Sequence, residues 1–332
     1  SLAIDVKSPE GRKIIENLLL TADVLSENFR PGVMDKLGFG YETVQNINPR
    51  IIYAAASGFG QDGPYSERPG QDLVIQALSG LANLNGSENQ PPTPVGVSAA
   101  DHHGAQILAM AILAALYRRE KTGIGTRVDV DLLSAALDLQ NESLTCYLNG
   151  ATETQRPPPN IAGWYFPAPY GVYEVTDGFI AISLGSITTL SEALGNTELA
   201  KFSPDETFSR KREIAQLVQN SIKDLDLESL EETLGKHKLW FSRVNDYEAL
   251  LKDPQIEHNG SFIDIDSASG SPLRLLAHPA KYDGVRPKVH SPPQPLGAQS
   301  AAILSEIGYS SEEVRDLSER RIIHVWDPAE SE

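Results

Sequence analysis

Ile51-Ile52-Tyr53-Ala54-Ala55-Ala56 is an uninterrupted apolar run, followed at once by Ser57-Gly58-Phe59-Gly60-Gln61-Asp62-Gly63-Pro64. A short run without polar alternation is what a strand buried on both faces shows. A glycine-rich loop directly after such a strand is the usual position for ligand contacts at the carboxyl edge of an α/β sheet. The loop has neither the dinucleotide-binding glycine spacing nor that of a P-loop. On local grounds a tight turn using glycine's backbone freedom explains it equally well.

Upstream, Leu2-Ala3-Ile4-Asp5-Val6 alternates like a strand, and Ser8-Pro9 reads as a helix cap and first position, with Ile14, Ile15, Leu18 and Leu19 at helical spacing. A strand at Val24 to Ser26 and two short helical pieces between Pro31 and Asn46 lead into the apolar run. Downstream, a helix is expected over Asp72 to Leu81, then a proline-rich loop through Pro91-Pro92-Thr93-Pro94. Gly104 to Arg119 leaves little polar face, so that helix is expected to be covered on most sides. A strand over Arg127 to Asp131 and a helix over Leu132 to Leu148 complete a βα alternation. The fold class predicted is α/β, a doubly wound, mostly parallel sheet.

Five prolines between Gly150 and Pro169 separate this part from a hairpin, Gly171 to Val175 and Phe179 to Leu184, turned at Thr176-Asp177-Gly178. The organisation expected is a large α/β unit over 1–150, a linker at 151–168, a small inserted α/β domain at 169–285, and a linker with the C-terminal part of the large unit at 286–332. The small unit should be helix-rich from Thr207 to Leu251, then carry an extended segment at Phe262 to Ile265. Helices are expected near Ala298 to Glu306 and Ser311 to Ser318.

With 332 residues, 40% hydrophobic and 22% charged, the chain has ample material for a packed core. A net charge of -17 argues against nucleic acid and anionic membrane as partners. One cysteine, Cys146, fits a reducing compartment, and the seven histidines have no zinc or iron spacing, so no metal is expected. No apolar run spans a bilayer, and the expected location is cytoplasmic. The strand under way at Ser1, with no initiator Met, points to a segment missing upstream.

Asp101 follows Val95-Gly96-Val97-Ser98-Ala99-Ala100 and precedes the long apolar helix. Its plain reading is an N-cap. A desolvated carboxylate there, with one free oxygen, could also attack an activated carbonyl. The two roles are compatible. His102 and His103 are expected at the surface or behind the site, because neighbours in a first helical turn diverge.

Glu27-Asn28-Phe29-Arg30-Pro31-Gly32 followed by Met34-Asp35-Lys36-Leu37-Gly38-Phe39 resembles the signature of the family III CoA-transferases, the CaiB/BaiF family, which also includes α-methylacyl-CoA racemases. The loop at Ser57 to Pro64, Gln71-Asp72-Leu73, Arg119-Glu120-Lys121-Thr122-Gly123, Pro169-Tyr170-Gly171-Val172-Tyr173, Asp253-Pro254-Gln255 and Pro292-Pro293-Gln294-Pro295-Leu296-Gly297 continue the likeness in order. The resemblance implies a CoA-transferase passing CoA from an acyl-CoA to a small carboxylic acid through covalent intermediates on Asp101. It implies coenzyme A as substrate with no permanently bound cofactor, and an interlocked homodimer.

By the same resemblance, Asn28, Lys36 and Leu37 line the CoA groove, Ser57 and Phe59 border the thioester, and Gln71 and Gly163 belong to the substrate pocket. Read on its residue type alone, Lys36 is an ordinary solvated helix lysine. Racemases of the family carry histidine at the position of Gln71, and a carboxamide cannot relay a proton at neutral pH, which favours transfer over racemisation. A noncatalytic CoA-binding relative is the other reading. The family's opening strand, loop and helix have no counterpart here, and its glycine-rich lid is reduced to Gly163 within 160–167.

Overall fold

The computed structural model describes residues 1–153, 155–267 and 270–327. The expected linker, small domain and C-terminal segment therefore extend in part beyond the described residues.

The first half runs β1 (Ala3–Ile4), α1 (Pro9–Leu19), β2 (Val24–Glu27), α2 (Val33–Leu37), α3 (Tyr41–Ile47), β3 (Ile52–Ser57), α4 (Asp72–Leu78), α5 (Leu81–Leu84), α6 (Ala99–Thr122), β4 (Thr126–Asp131), α7 (Leu132–Leu139) and α8 (Asn141–Leu148). Strands β2, β3 and β4 form a parallel sheet with β3 in the centre. In β3, Tyr53 and Ala55 face a cluster built with α1, α2 and α3, including Leu19, Phe39 and Val44. Ile52 and Ala54, fully buried on the alternate face, meet the side where α6 crosses. The two-sided burial read from the apolar run is thus the period-2 geometry of a central strand.

Helix α1 starts as read: Ser8 Oγ accepts from the Gly11 amide at 3.0 Å, and Pro9 fills the first position. Two helix boundaries differ from the sequence reading. The helix from Asp72 stops at Leu78, because Gly80 takes a left-handed φ of 87° and starts a second helix. The helix from Leu132 breaks at Gln140, whose side-chain amide donates to Ala136 O at 2.7 Å and Ser79 O at 3.3 Å.

The coverage expected for α6 also needs correction. Its inward stripe is Ala100, Gly104, Ala115 and Arg119, small residues that let it sit close to the sheet and α7. The opposite side exposes Met110, Leu113 and Tyr117, each about two-thirds accessible. At the far end Arg119 is buried, pairs with Asp23 Oδ1 at 2.8 Å and donates to the carbonyls of Asp23 and Arg50, tying the helix to the strands on either side.

The second half contains β5 (Gly171–Val175), β6 (Gly178–Ile182), α9 (Ile187–Leu194), a 3-10 turn at Leu199–Lys201, α10 (Glu206–Ser209), α11 (Lys211–Ile222), α12 (Leu227–Lys236), β7 (Phe241–Arg243), α13 (Tyr247–Leu251), α14 (Pro254–Asn259), β8 (Phe262–Asp266), β9 (Pro272–Leu276), α15 (Ser300–Glu306), α16 (Ser311–Glu319) and β10 (Ile323–His324). The predicted hairpin forms, and β7, inside the stretch expected to be helix-rich, adds to β6 as a third antiparallel strand. Strand β9 completes a ladder with β8. One core is assembled from residues 161 to 234, with Tyr173, Leu190, Leu199, Ile214 and Leu230 fully enclosed. Ile161 and Ala168, within the expected linker, are buried in it.

The chain's two ends meet. β1 pairs antiparallel with β10, and Ile14 packs with Leu304, Val314, Leu317 and Ile323. A capping box on Ser310 and Glu313 starts the last helix.

Candidate active site

The carboxyl ends of β2, β3 and β4 open into a cleft of about 960 Å³. Glu27 and Asn28 reach it from the end of β2, Ser57 and Gly58 from β3, Val130 from β4, Gly70, Gln71 and Asp72 from the start of α4, and Asp101, His102 and Gly104 from α6. This is the edge where α/β sheets place their ligands.

The loop between β3 and α4 is closed at its neck by two glycines. A Cβ on Gly58 would lie 2.6 Å from Gly70 Cα, and one on Gly70 would lie 2.5 Å from Gly58 Cα. Only residues without a side chain allow that approach, so these two are required by contact and not only by turn geometry. Inside the loop, Ser57 Oγ accepts from the Gly60 amide at 3.0 Å, and Phe59 packs edge-on to Tyr65 with centroids 5.7 Å apart.

Asp101 is not the N-cap of α6. The helix begins at Ala99, Ser98 stands at the cap without a side-chain bond, and Asp101 lies in the first turn. The capping acceptor comes from another helix: Asp72 Oδ1 accepts from the amides of Ala100 at 2.8 Å and Asp101 at 3.2 Å. Its other oxygen accepts from Gln76 Nε2 at 2.6 Å, and buried Gln76 accepts in turn from the Val95 amide at 2.8 Å. Asp72 and Gln76, one turn apart on α4, therefore hold both the incoming loop and the start of α6. The Asp101 carboxylate is left for the cleft.

Burial in the cleft, and next the negative charge of Asp72, raise the Asp101 carboxyl above the ordinary aspartate range; His102 acts the other way. Glu27 is likewise raised, chiefly by burial, against a 2.7 Å bond accepted from the Phe29 amide. Among the described residues lining the cleft, His102 alone can carry positive charge. The reading that kept His102 away from the site is corrected here. His103 turns toward α7 and meets Asp138 at 2.7 Å.

Of the residues singled out in the sequence, Asp101, Asn28, Ser57 and Gln71 come together at this cleft. Phe59 stands beside it, packed with Ile75, Ala100 and Ala136. Lys36 is exposed on α2, and Leu37 packs into the cluster under that helix. Gly163 lies away from the cleft, where a Cβ would meet the Phe166 ring at 2.7 Å. Glu27 and His102 were missed as site residues. Each is sequence neighbour to a residue that was found. Among the described residues no cluster of His, Cys, Asp or Glu is arranged to hold a metal ion, and no helix is long and apolar enough to cross a membrane.

The comparisons give the class: the chain belongs to CoA-transferase family III, whose model matches residues 1–300. It is an enzyme that transfers coenzyme A between an acyl-CoA and a carboxylate. It is 38% identical to the acetyl-CoA:oxalate CoA-transferase of Acetobacter aceti, over 60% of this chain and 52% of that one. With the human succinyl-CoA:glutarate CoA-transferase it shares 29% identity, over 92% of this chain and 71% of that one. The crystal structure of a CaiB/BaiF family protein from Brucella suis superposes with a TM-score of 0.77 at 31% identity, covering 92% of this chain and 80% of that one.

Proposed function

We propose that the Asp101 carboxylate is the nucleophile of CoA transfer. An Asp101 oxygen adds to the thioester carbonyl, the C–S bond breaks, and CoA leaves as the thiolate, giving an aspartyl-acyl anhydride. The thiolate then attacks the aspartyl carbonyl, releasing the donor acid and leaving an aspartyl-CoA thioester. The acceptor carboxylate attacks that thioester and forms a second anhydride. Thiolate attack on the acceptor's acyl carbon gives the new acyl-CoA and returns Asp101 as carboxylate. Each step exchanges one activated acyl bond for another, so the thioester's activation is kept in covalent form.

The observation that carries this reading is the relief of Asp101 from capping by Asp72. Hydroxylamine added during turnover with succinyl-CoA should inactivate the enzyme and convert Asp101 to its hydroxamate, detected by peptide mass spectrometry. Inactivation without a mark on Asp101 would remove the covalent mechanism. An Asp101→Ala variant with undiminished CoA exchange would support the noncatalytic reading of this residue.

The acceptor we propose is a short dicarboxylate. Two relatives are named for oxalate and glutarate, and His102 is the one lining side chain, among the described residues, of a type able to offer a counter-charge. Asn28 and Ser57, which line the cleft, would hold the pantetheine end of CoA with Phe59 beside them, and Lys36 and Leu37 would lie along the path to its phosphates. Gln71, which lines the cleft, would contact the acyl group. Gln71, where proton exchange would need a base, supports transfer over α-carbon isomerisation. Deuterium incorporation from heavy water without CoA exchange would reverse that choice.

The organisation we propose keeps 1–150 and 286–332 as one doubly wound unit and 169–285 as the inserted one, joined through 151–168. The exposed Met110, Leu113 and Tyr117 stripe on α6 supports a dimer in which a second copy covers that face. Interlocking of the two chains would place the α6 faces inside the assembly.

A further inference from the structure

Glu27 is the one described residue that lines both the Asp101 cleft and a second, small cavity of about 30 Å³. Its placement follows from the sheet. Paired residues of parallel strands point to the same side, and the register sets Leu25, Tyr53 and Arg127 in one row and Glu27, Ala55 and Asp129 in the next. Tyr53 and Ala55 face the cluster under α1 to α3, so the Glu27 side chain leaves its strand on that side. Arg30, Asp35, Tyr41, Tyr53 and Arg127 are other polar walls of the small cavity, which has room for about one or two waters.

A carboxylate in this place is not explained by stability. The nearby cation, Arg127, is taken by Asp129, Nε to Oδ1 at 2.9 Å, and Glu27 has no ion pair among the described residues. Burial first, and then the charges of Asp129 and Asp35, raise its carboxyl against the opposing pull of the Phe29 amide and Arg127, so ionising Glu27 costs the fold free energy. Groups held at such a cost cluster where there is work for them. The one hydrogen bond of the Glu27 side chain among the described residues is the one accepted from the Phe29 amide at 2.7 Å. That bond ties the chain back to the last residue of β2, and Asn28 is the residue in between. Asn28 is exposed on the cleft, and its side chain makes no hydrogen bond among the described residues, so its direction is set by the backbone on either side.

We infer that Glu27 is a positioning residue for coenzyme A, given the reading of Asn28 as a contact of its pantetheine end: the Glu27 carboxylate holds the Phe29 amide and so fixes the bend that presents Asn28 to the cleft. Without that bond the 27–29 backbone samples several directions, and binding has to select the competent one, which lowers the apparent affinity by the fraction of time spent elsewhere. The loss is the same in the ground state and the transition state, so it falls on KM and not on kcat.

The test titrates coenzyme A into the full chain by calorimetry and measures KM and kcat with succinyl-CoA, for wild type, Asn28→Ala, Glu27→Ala, Glu27→Gln and the double variant with alanine at both positions. Asn28→Ala should weaken CoA binding. Glu27→Ala, or Glu27→Met if the first does not fold, should weaken it about tenfold, the loss of a hydrogen bond to a charged group, and raise KM with kcat within about twofold of wild type. Glu27→Gln keeps an acceptor for the Phe29 amide and should recover most of the affinity. Placed on top of Asn28→Ala, Glu27→Ala should cost less than about twofold more, because the two residues act through one contact. Wild-type affinity in Glu27→Ala beside a weakened Asn28→Ala, additive losses in the double variant, a glutamine variant as weak as the alanine one, or a fall in kcat with KM unchanged would each overturn the role given to Glu27. A silent Asn28→Ala would instead remove the CoA contact itself, and this role with it.

Discussion

Substituting Asp72 separates the two effects that the structure gives this residue. Its Oδ1 accepts from two amides at the start of α6, and its charge raises the Asp101 carboxyl. Asp72→Asn keeps an acceptor at the cap and removes the charge, but its amide NH2 then faces Gln76 Nε2, and losing that bond should cost about 1 kcal/mol. Asp72→Ala loses the acceptor, about 0.5–2 kcal/mol for the cap, and weakens the hold on Gln76 by up to about 1 kcal/mol more. At about 2 °C per kcal/mol for a chain of this size, the alanine variant should melt a few degrees lower and the asparagine variant about 2 °C lower. Removing the Asp72 charge should lower the Asp101 pKa. The ionised form is the attacking one, so the acidic limb of the pH–rate profile for acyl-enzyme formation should move to lower pH. Rapid-quench measurement of CoA thiol release from succinyl-CoA, run across pH on Asp72→Asn, reads that limb directly. A limb that stays in place or moves upward would refute the electrostatic coupling and leave Asp72 only its cap.

His102→Gln should shift the same limb to higher pH, because His102 favours the ionised Asp101; opposite movements in the two variants are the signature to look for in the same assay. Asp101→Asn should abolish CoA exchange yet stabilise the fold at neutral pH. The folded-state carboxyl is raised, so its ionisation costs stability once pH passes through the folded value; urea midpoints should rise at pH 7 and not at about pH 3, where the aspartate is already protonated. Tyr173→Phe removes a buried hydroxyl that donates to Pro169 O at 2.7 Å and should cost about 1 kcal/mol in chemical unfolding with activity retained. Leu113→Glu on the open face of α6 should shift sedimentation toward monomer if a second copy covers that face.

The parallel sheet could be read in the sequence because its evidence is local. The Ile51 to Ala56 run, the Ser8-Pro9 start and the turn at Thr176-Asp177-Gly178 each carry their own periodicity or turn chemistry. The catalytic candidate came from the family resemblance, in which an aspartate precedes the long helix ending in Arg119-Glu120-Lys121-Thr122-Gly123; its local setting alone reads as a helix cap. The candidate's surroundings were not legible. The Asp72 cap joins residues 28 positions apart, and nothing local distinguishes that aspartate from any residue opening a helix. Strands β7 and β10 are three and two residues long and exist only through partners distant in the chain. Gly80 lies inside the helix expected over Asp72 to Leu81, and its left-handed backbone is what divides it. His102 was set aside by a rule about neighbours in a helical turn, which gives relative directions but not where the cleft lies.

The neck formed by Gly58 and Gly70 fixes where residues 59–69 leave and rejoin the framework, whatever lies between. That makes the segment a replaceable cartridge: its length and composition can drift, or be exchanged by an engineer, while both attachment points stay put at the rim of the reaction chamber.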